Sequence, residues 1–155
     1  MSLRNSSSSS SSAATHGRIL LVDDNVSGST ARKTVLEELG HEIHVASSGA
    51  DALEQFSQHH FDLVVTDYKM PRMDGLELIA RLRKQQPEIR IVLVSGFVDT
   101  LGLNEATTGA DGVIQKSANE VTHLVRAVNR LMRRKPVKKP AGSDARTMKA
   151  KRQAG

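Results

Sequence analysis

The sequence predicts an α/β domain, a doubly wound five-stranded parallel sheet with flanking helices. Two observations carry that prediction. Between Arg18 and Arg134, short apolar runs of strand length alternate with segments of helical spacing. Three of the runs, "RILLV", "FDLVVT" and "RIVLVS", are nearly continuous in Leu, Ile and Val, the mark of parallel strands covered on both faces. Strands alternating with helices imply right-handed crossovers, and such sheets bind ligands off the carboxyl ends of their strands, near the switch in strand order.

Taken in order, the strands are "RILLV", "EIHVA", "FDLVVT", "RIVLVS" and a short "GVIQ". The first helix spans Val26 to Leu39 and is closed by Gly40, a residue suited to the left-handed turn after a helix. The second runs from Ala50 to His59, and the third from Leu76 to Gln86, where Pro87 stops it. A weaker helix lies near Val98 to Ala106. The last, Ala118 to about Arg134, carries Val121, Leu124, Val125, Val128, Leu131 and Met132 on one stripe. Its expected start is a capping box in "SANE", with Ser117 and Glu120 satisfying each other's end.

Length bounds the organisation. With 155 residues and 38% hydrophobic content, the chain supports one core, expected over 17–134. Residues 1–16 hold seven consecutive serines and read as a flexible leader or linker, and 135–155 as a basic, disordered tail. From Arg133 onward there are nine Lys/Arg against one Asp, so the +5 net charge divides into +8 for this end and −3 for the remainder. The tail has no aromatic residue for base stacking, and Pro136 and Pro140 break any basic helix, so a nucleic-acid role is disfavoured. The absence of cysteine excludes disulfides, thiol catalysis and thiolate metal sites. No apolar run reaches membrane-spanning length, and a cytoplasmic location is the expectation.

Chemistry is expected at the strand ends. Asp23 and Asp24 follow the first strand, Asp67 the third, Ser95 closes the fourth, and Lys116 follows the fifth. Each alone reads as a turn former or a surface residue. Together they deliver three carboxylates, a hydroxyl and an ammonium to one edge, and two carboxylates about 4 Å apart repel by roughly 4 kcal/mol. Something must neutralise them. An all-oxygen ligand set suits Mg²⁺, which keeps waters and shares phosphate oxygens. Lys116 then suits a phosphoryl group as a point charge, and Ser95 as a hydrogen-bond donor. On this reading, replacing Asp23 and Asp24 by Asn relieves repulsion and raises metal-free stability.

In order and spacing, "ILLVDDN", "DLVVTDYKMPRMDGLEL", "IRIVLVSG" and "GADGVIQK" resemble the receiver domain of response regulators, the CheY-like phosphoacceptor module of two-component systems with a flavodoxin-like fold. The resemblance covers about Gly17 to Arg134. It implies that Asp67 is the phosphorylated aspartate, that Asp23 and Asp24 bind Mg²⁺ with Asp67 and the Lys69 backbone carbonyl, and that Ser95 and Lys116 contact the phosphoryl oxygens. Two positions depart from the family pattern. Val113 stands where an aromatic residue usually swings inward, and Ser117 replaces the proline after the lysine, so a trans link is expected there. Activation is therefore expected through the loop after Ser95 and the weak fourth helix. Lys69 and Phe97 border the site and are candidates for tuning it. The histidine pairs 41/44 and 59/60 read as structural, since neither spacing converges on a strand.

The implied function is a phosphorylation-dependent switch that accepts a phosphoryl group from a histidine kinase or histidine phosphotransfer protein and acts through a downstream protein partner. It would be a single-domain regulator or the receiver of a hybrid kinase. It is not an enzyme beyond self-phosphorylation from donors and autodephosphorylation. The rival is a phosphorylation-independent interaction module working through the tail or a helical face. An aspartate-based phosphatase is weaker still, because Lys69 occupies the place of its second aspartate.

Overall fold

The computed structural model describes residues 16–134. The elements in chain order are β1 (Arg18–Val22), α1 (Val26–Glu38), β2 (Glu42–Ala46), α2 (Gly49–Gln58), β3 (Leu63–Asp67), α3 (Gly75–Gln85), β4 (Arg90–Ser95), α4 (Val98–Leu101), α5 (Glu105–Thr108), β5 (Gly112–Gln115) and α6 (Glu120–Arg133). The five strands are all parallel, in the order β2-β1-β3-β4-β5. The predicted fold class is thus the observed one. The expected leader and tail lie outside the described residues, save His16.

Period-two alternation explains why both faces are covered. On β1, Ile19 and Leu21 face α1 and α6, packing with Leu36, Leu124, Val128 and Leu131. Leu20 and Val22 face the other way, packing with Phe56 of α2 and Leu78, Ile79 and Leu82 of α3. The same division runs through β3 and β4, where Leu63, Val65, Val92 and Val94 join the first core and Val64, Ile91 and Leu93 the second. Every side chain of β3 is buried. Each apolar side chain buried this way is worth about 1.5–3 kcal/mol, which fixes the strands and, with them, the positions of their last residues.

Caps fix the helix starts. Asn25, Ser48 and Asp74 accept the amides of Gly28, Asp51 and Glu77 at the heads of α1, α2 and α3. Three expectations are corrected. The weak helix near Val98 to Ala106 is two short helices, because Gly102 adopts a left-handed φ of 65° and Asn104 starts a new capping box with Thr107. The "SANE" capping box does not form: Ser117 Oγ accepts the Asn119 amide, and Asn119, without a side-chain cap bond, precedes α6. The third strand runs two residues later at its start and includes Asp67, while Phe61 is buried ahead of it.

Candidate functional site

Strand order decides where the polar residues meet. β1 has β2 on one side and β3 on the other, so the winding reverses between β1 and β3. Val22 lies beside Thr66, which sets Asp23 next to Asp67 across that junction. Asp67 in turn pairs with Val94, and Ser95 with Gln115, so the ends of β4 and β5 continue the same edge. The Lys116 amide donates to the Ser95 carbonyl at 2.9 Å, which brings the lysine round to the site.

Carboxylate oxygens of Asp23, Asp24 and Asp67 lie within 4.8 Å of one another, the one such metal-ligand cluster among the described residues. Asp23 and Asp67 are 3% and 4% exposed, and Asp24 is exposed. At that spacing each pair of negative charges repels by about 3–4 kcal/mol. Two cations offset this. Lys116 Nζ sits 2.8 Å from Asp67 Oδ1, a charge contact at an oxygen that is buried without an aligned hydrogen bond. Burial pushes the Asp67 carboxyl above its ordinary range, and Lys116 pulls against that shift.

The second cation was not anticipated. Arg32, on the buried stripe of α1 with Ser29 and Leu36, donates from Nη1 to Asp23 Oδ2 at 2.6 Å and from Nε to Glu120 Oε2 at 2.6 Å. The other Asp23 oxygen accepts the Asn25 amide at 2.9 Å. Burial works against the charge on Arg32, but Glu120, Asp23 and Asp67 outweigh it and push the guanidinium up. The sequence signal was its phase: residue 32 falls four before Leu36, on the core-facing side of the helix. Glu120, expected as a cap, is drawn instead to this partner.

The loop after β3 is held by close backbone contacts. The Gly75 amide donates to the Tyr68 carbonyl at 2.7 Å, and a Cβ on Gly75 would come within 2.5 Å of the Asp67 carbonyl. Glycine is therefore required here by proximity. Lys69 is exposed, and its Nζ lies 5.2 Å from the centre of the Phe97 ring, which also meets Tyr68 edge-on. Ser95 is 1% exposed and its Oγ accepts the Phe97 amide at 2.9 Å, leaving the hydroxyl proton to donate. Val113 packs partly buried against the α2/α3 core, and the Lys116–Ser117 link is trans.

The histidines do other work. His41 Nδ1 accepts the Gly17 amide at 3.1 Å, and burial, with His16 nearby, pushes this imidazole down. His44 pairs with Glu42, and His60 with Asp62.

Three clustered carboxylates, one of them exposed, make an all-oxygen donor set that fits a hard divalent cation such as Mg²⁺. A nearby ammonium and a buried hydroxyl suit the oxygens of a transferred phosphoryl group.

Comparison with known proteins agrees. The profile of the family described as "Response regulator receiver domain" matches residues 19–129. The chain is similar to the gliding motility regulatory protein of Myxococcus xanthus, at 31% identity over 124 residues, covering 77% of this chain and 16% of that protein. It is also similar to the sensor kinase CckA of Brucella abortus, at 37% identity over 83 residues, 52% of this chain and 9% of that protein. It thus spans less than a fifth of these curated relatives. Among solved structures, the response regulator TrrA of Thermotoga maritima in complex with Mg²⁺-BeF aligns with a TM-score of 0.63 and 33% identity, covering 72% of this chain and 97% of that one. Among the described residues no helix is long and apolar enough to cross a membrane.

Proposed function

Because the chain belongs to the response regulator receiver domain family of two-component signal transduction, we propose that it is a phosphorylation-dependent switch with Asp67 as the phosphoacceptor. One observation carries the assignment. Asp67 ends a fully buried strand with an ion-paired oxygen at the switch between β1 and β3, among two other carboxylates and Lys116. The receiver unit corresponds to 17–134. Similarity to sensor kinases supports a histidine kinase or histidine phosphotransfer protein as donor, with a downstream protein as target.

In the proposed reaction a carboxylate oxygen of Asp67 attacks the phosphorus of a phosphohistidine. The P–N bond breaks as the P–O bond forms, and the imidazole leaves with its electron pair. Rigid placement of Asp67 supplies orientation. Lys116, already at its side, meets the phosphoryl oxygens as charge redistributes, and the Ser95 hydroxyl donates to one of them. Asp23, Asp24, Asp67 and the Lys69 carbonyl would hold Mg²⁺, which supplies charge neutralisation when bound.

Incubation with a small phosphodonor and Mg²⁺, followed by intact mass spectrometry, is expected to add one phosphate to the wild type and none to Asp67→Asn. Equal labelling of that variant would refute the assignment. An unlabelled wild type would favour the rival, an interaction module that needs no phosphorylation.

A further inference from the structure

We propose that Arg32 is an internal counter-cation that exchanges with Mg²⁺. It holds Asp23 in the metal-free protein, releases it when the divalent ion binds, and passes the change to the head of α6 through Glu120. The inference rests on the acidic cluster being the Mg²⁺ site.

The first support is the placing of the charge. Arg32 is 3% exposed, a burial at which an unpaired guanidinium is costly, yet one carboxylate would have sufficed to neutralise it. It has two, on elements that are not neighbours in the chain. Asp23 lies 9 residues away at the end of β1, and Glu120 lies 88 residues away at the start of α6. Arg32 can therefore surrender Asp23 without becoming a bare buried charge.

The second is that both oxygens of Asp23 are engaged, Oδ1 by the Asn25 amide and Oδ2 by Arg32. Any cation drawing on Asp23 must compete with a charge-assisted hydrogen bond. Asp24 is exposed and meets no such competitor among the described residues. The third is Gly28, where a Cβ would lie 2.8 Å from Asp23 Oδ2 and 3.9 Å from Arg32 Nη1. The first turn of α1 carries no side chain at the place where the pair needs room.

A fixed tie between α1 and α6 would act on the metal through its charge alone and leave the α6 amides still as the ion binds, whereas exchange moves them. Exchange makes two substitutions act in opposite directions. Arg32→Met removes the competitor and its positive charge, so Mg²⁺ is expected to bind roughly tenfold more tightly. Glu120→Gln leaves Arg32 with Asp23 as its sole ionic partner, so binding is expected to weaken by roughly the same factor.

The experiment is calorimetric titration of the whole protein with MgCl₂ at fixed ionic strength, in wild type and both variants. It is paired with backbone amide NMR of Glu120 to Leu124 during the same titration. In the wild type these amides are expected to shift with metal occupancy, and in Arg32→Met to stay still. Glu120→Gln changes a partly exposed position, so with the wild-type NMR it keeps the test decisive should Arg32→Met not fold. Unchanged affinity in Glu120→Gln, or silent α6 amides in the wild type, would overturn the exchange while leaving the metal site standing. Absence of Mg²⁺ binding in every form would overturn the metal reading and the exchange together.

Discussion

The half of the sheet's carboxyl edge at β1 and β3 and the half at β4 and β5 are held by different means. At β1 and β3, Asp23 and Asp67 are buried, each is ion-paired, and Arg32 ties the edge to α1 and α6, helices of 13 and 14 residues. At β4 and β5, Ser95 is buried but a Cβ on the next residue, Gly96, would meet nothing, and Phe97 and Leu101 are 38% and 50% exposed. The helices there have four residues each and end on left-handed glycines. Few buried contacts mean low local stability. The molecule is stiff where we propose the phosphoryl group is received, and loose along the segment expected from the sequence to respond to it.

That contrast breaks if the charged half proves no stiffer than the other. The largest expected effect is at Asp23. Replacing it with Asn should lower metal-free stability by about 3 kcal/mol, the low end for a broken buried pair, since Glu120 remains on Arg32. This reverses the gain expected from the sequence, where repulsion was seen and Arg32 was not. Asp24→Asn, at an exposed position, should change stability little. Urea unfolding of the two variants in chelator checks the difference.

A smaller effect of opposite sign is expected at Asp67. Its carboxyl is raised by burial, so the folded state binds that proton more tightly than the unfolded chain does. The resulting stability is complete below the unfolded pKa and is lost as pH rises through the folded value. At neutral pH without metal, Asp67→Asn should therefore be more stable than wild type. The gap should close in acid. Melting temperatures of both proteins from acid to neutral pH measure it, and a gap that widened in acid would contradict the burial argument.

The smallest effect sharpens the other half. Leu101→Ala removes a half-exposed side chain and should alter stability by no more than about 0.5 kcal/mol. Hydrogen exchange should nevertheless find the amides from Gly96 to Leu103 opening far more readily than those of α6. Equal protection would erase the distinction between the two halves.

Most of the site was legible because strand ends are set by apolar runs, and apolar runs are local. Asp23, Asp24, Asp67 and Lys116 converge as the strand order requires, with Ser95 on the adjoining strand end. What stayed hidden depended on distant partners. An arginine in a helical segment is ordinarily assigned to solvent, and only Asp23 and Glu120 together make its burial tolerable. Glu120 had a good local role in a capping box, and a residue 88 positions away outbid it. The split between α4 and α5 was half visible, since Gly102 was in view but its left-handed conformation was not.

The span between Arg32 and Glu120 also orders events during synthesis. Asp23 and Arg32 leave the ribosome close together and can pair as soon as α1 coils, whereas Glu120 arrives only after four more strands have been made. Until then Arg32 has a single carboxylate to answer to, and the acidic pair is half-quenched by a local contact that does not need the finished sheet. The docking of α6 thus completes the nascent domain twice over: it closes the α1-side core with Leu124, Val128 and Leu131, and it brings the second carboxylate to a guanidinium held until then by one.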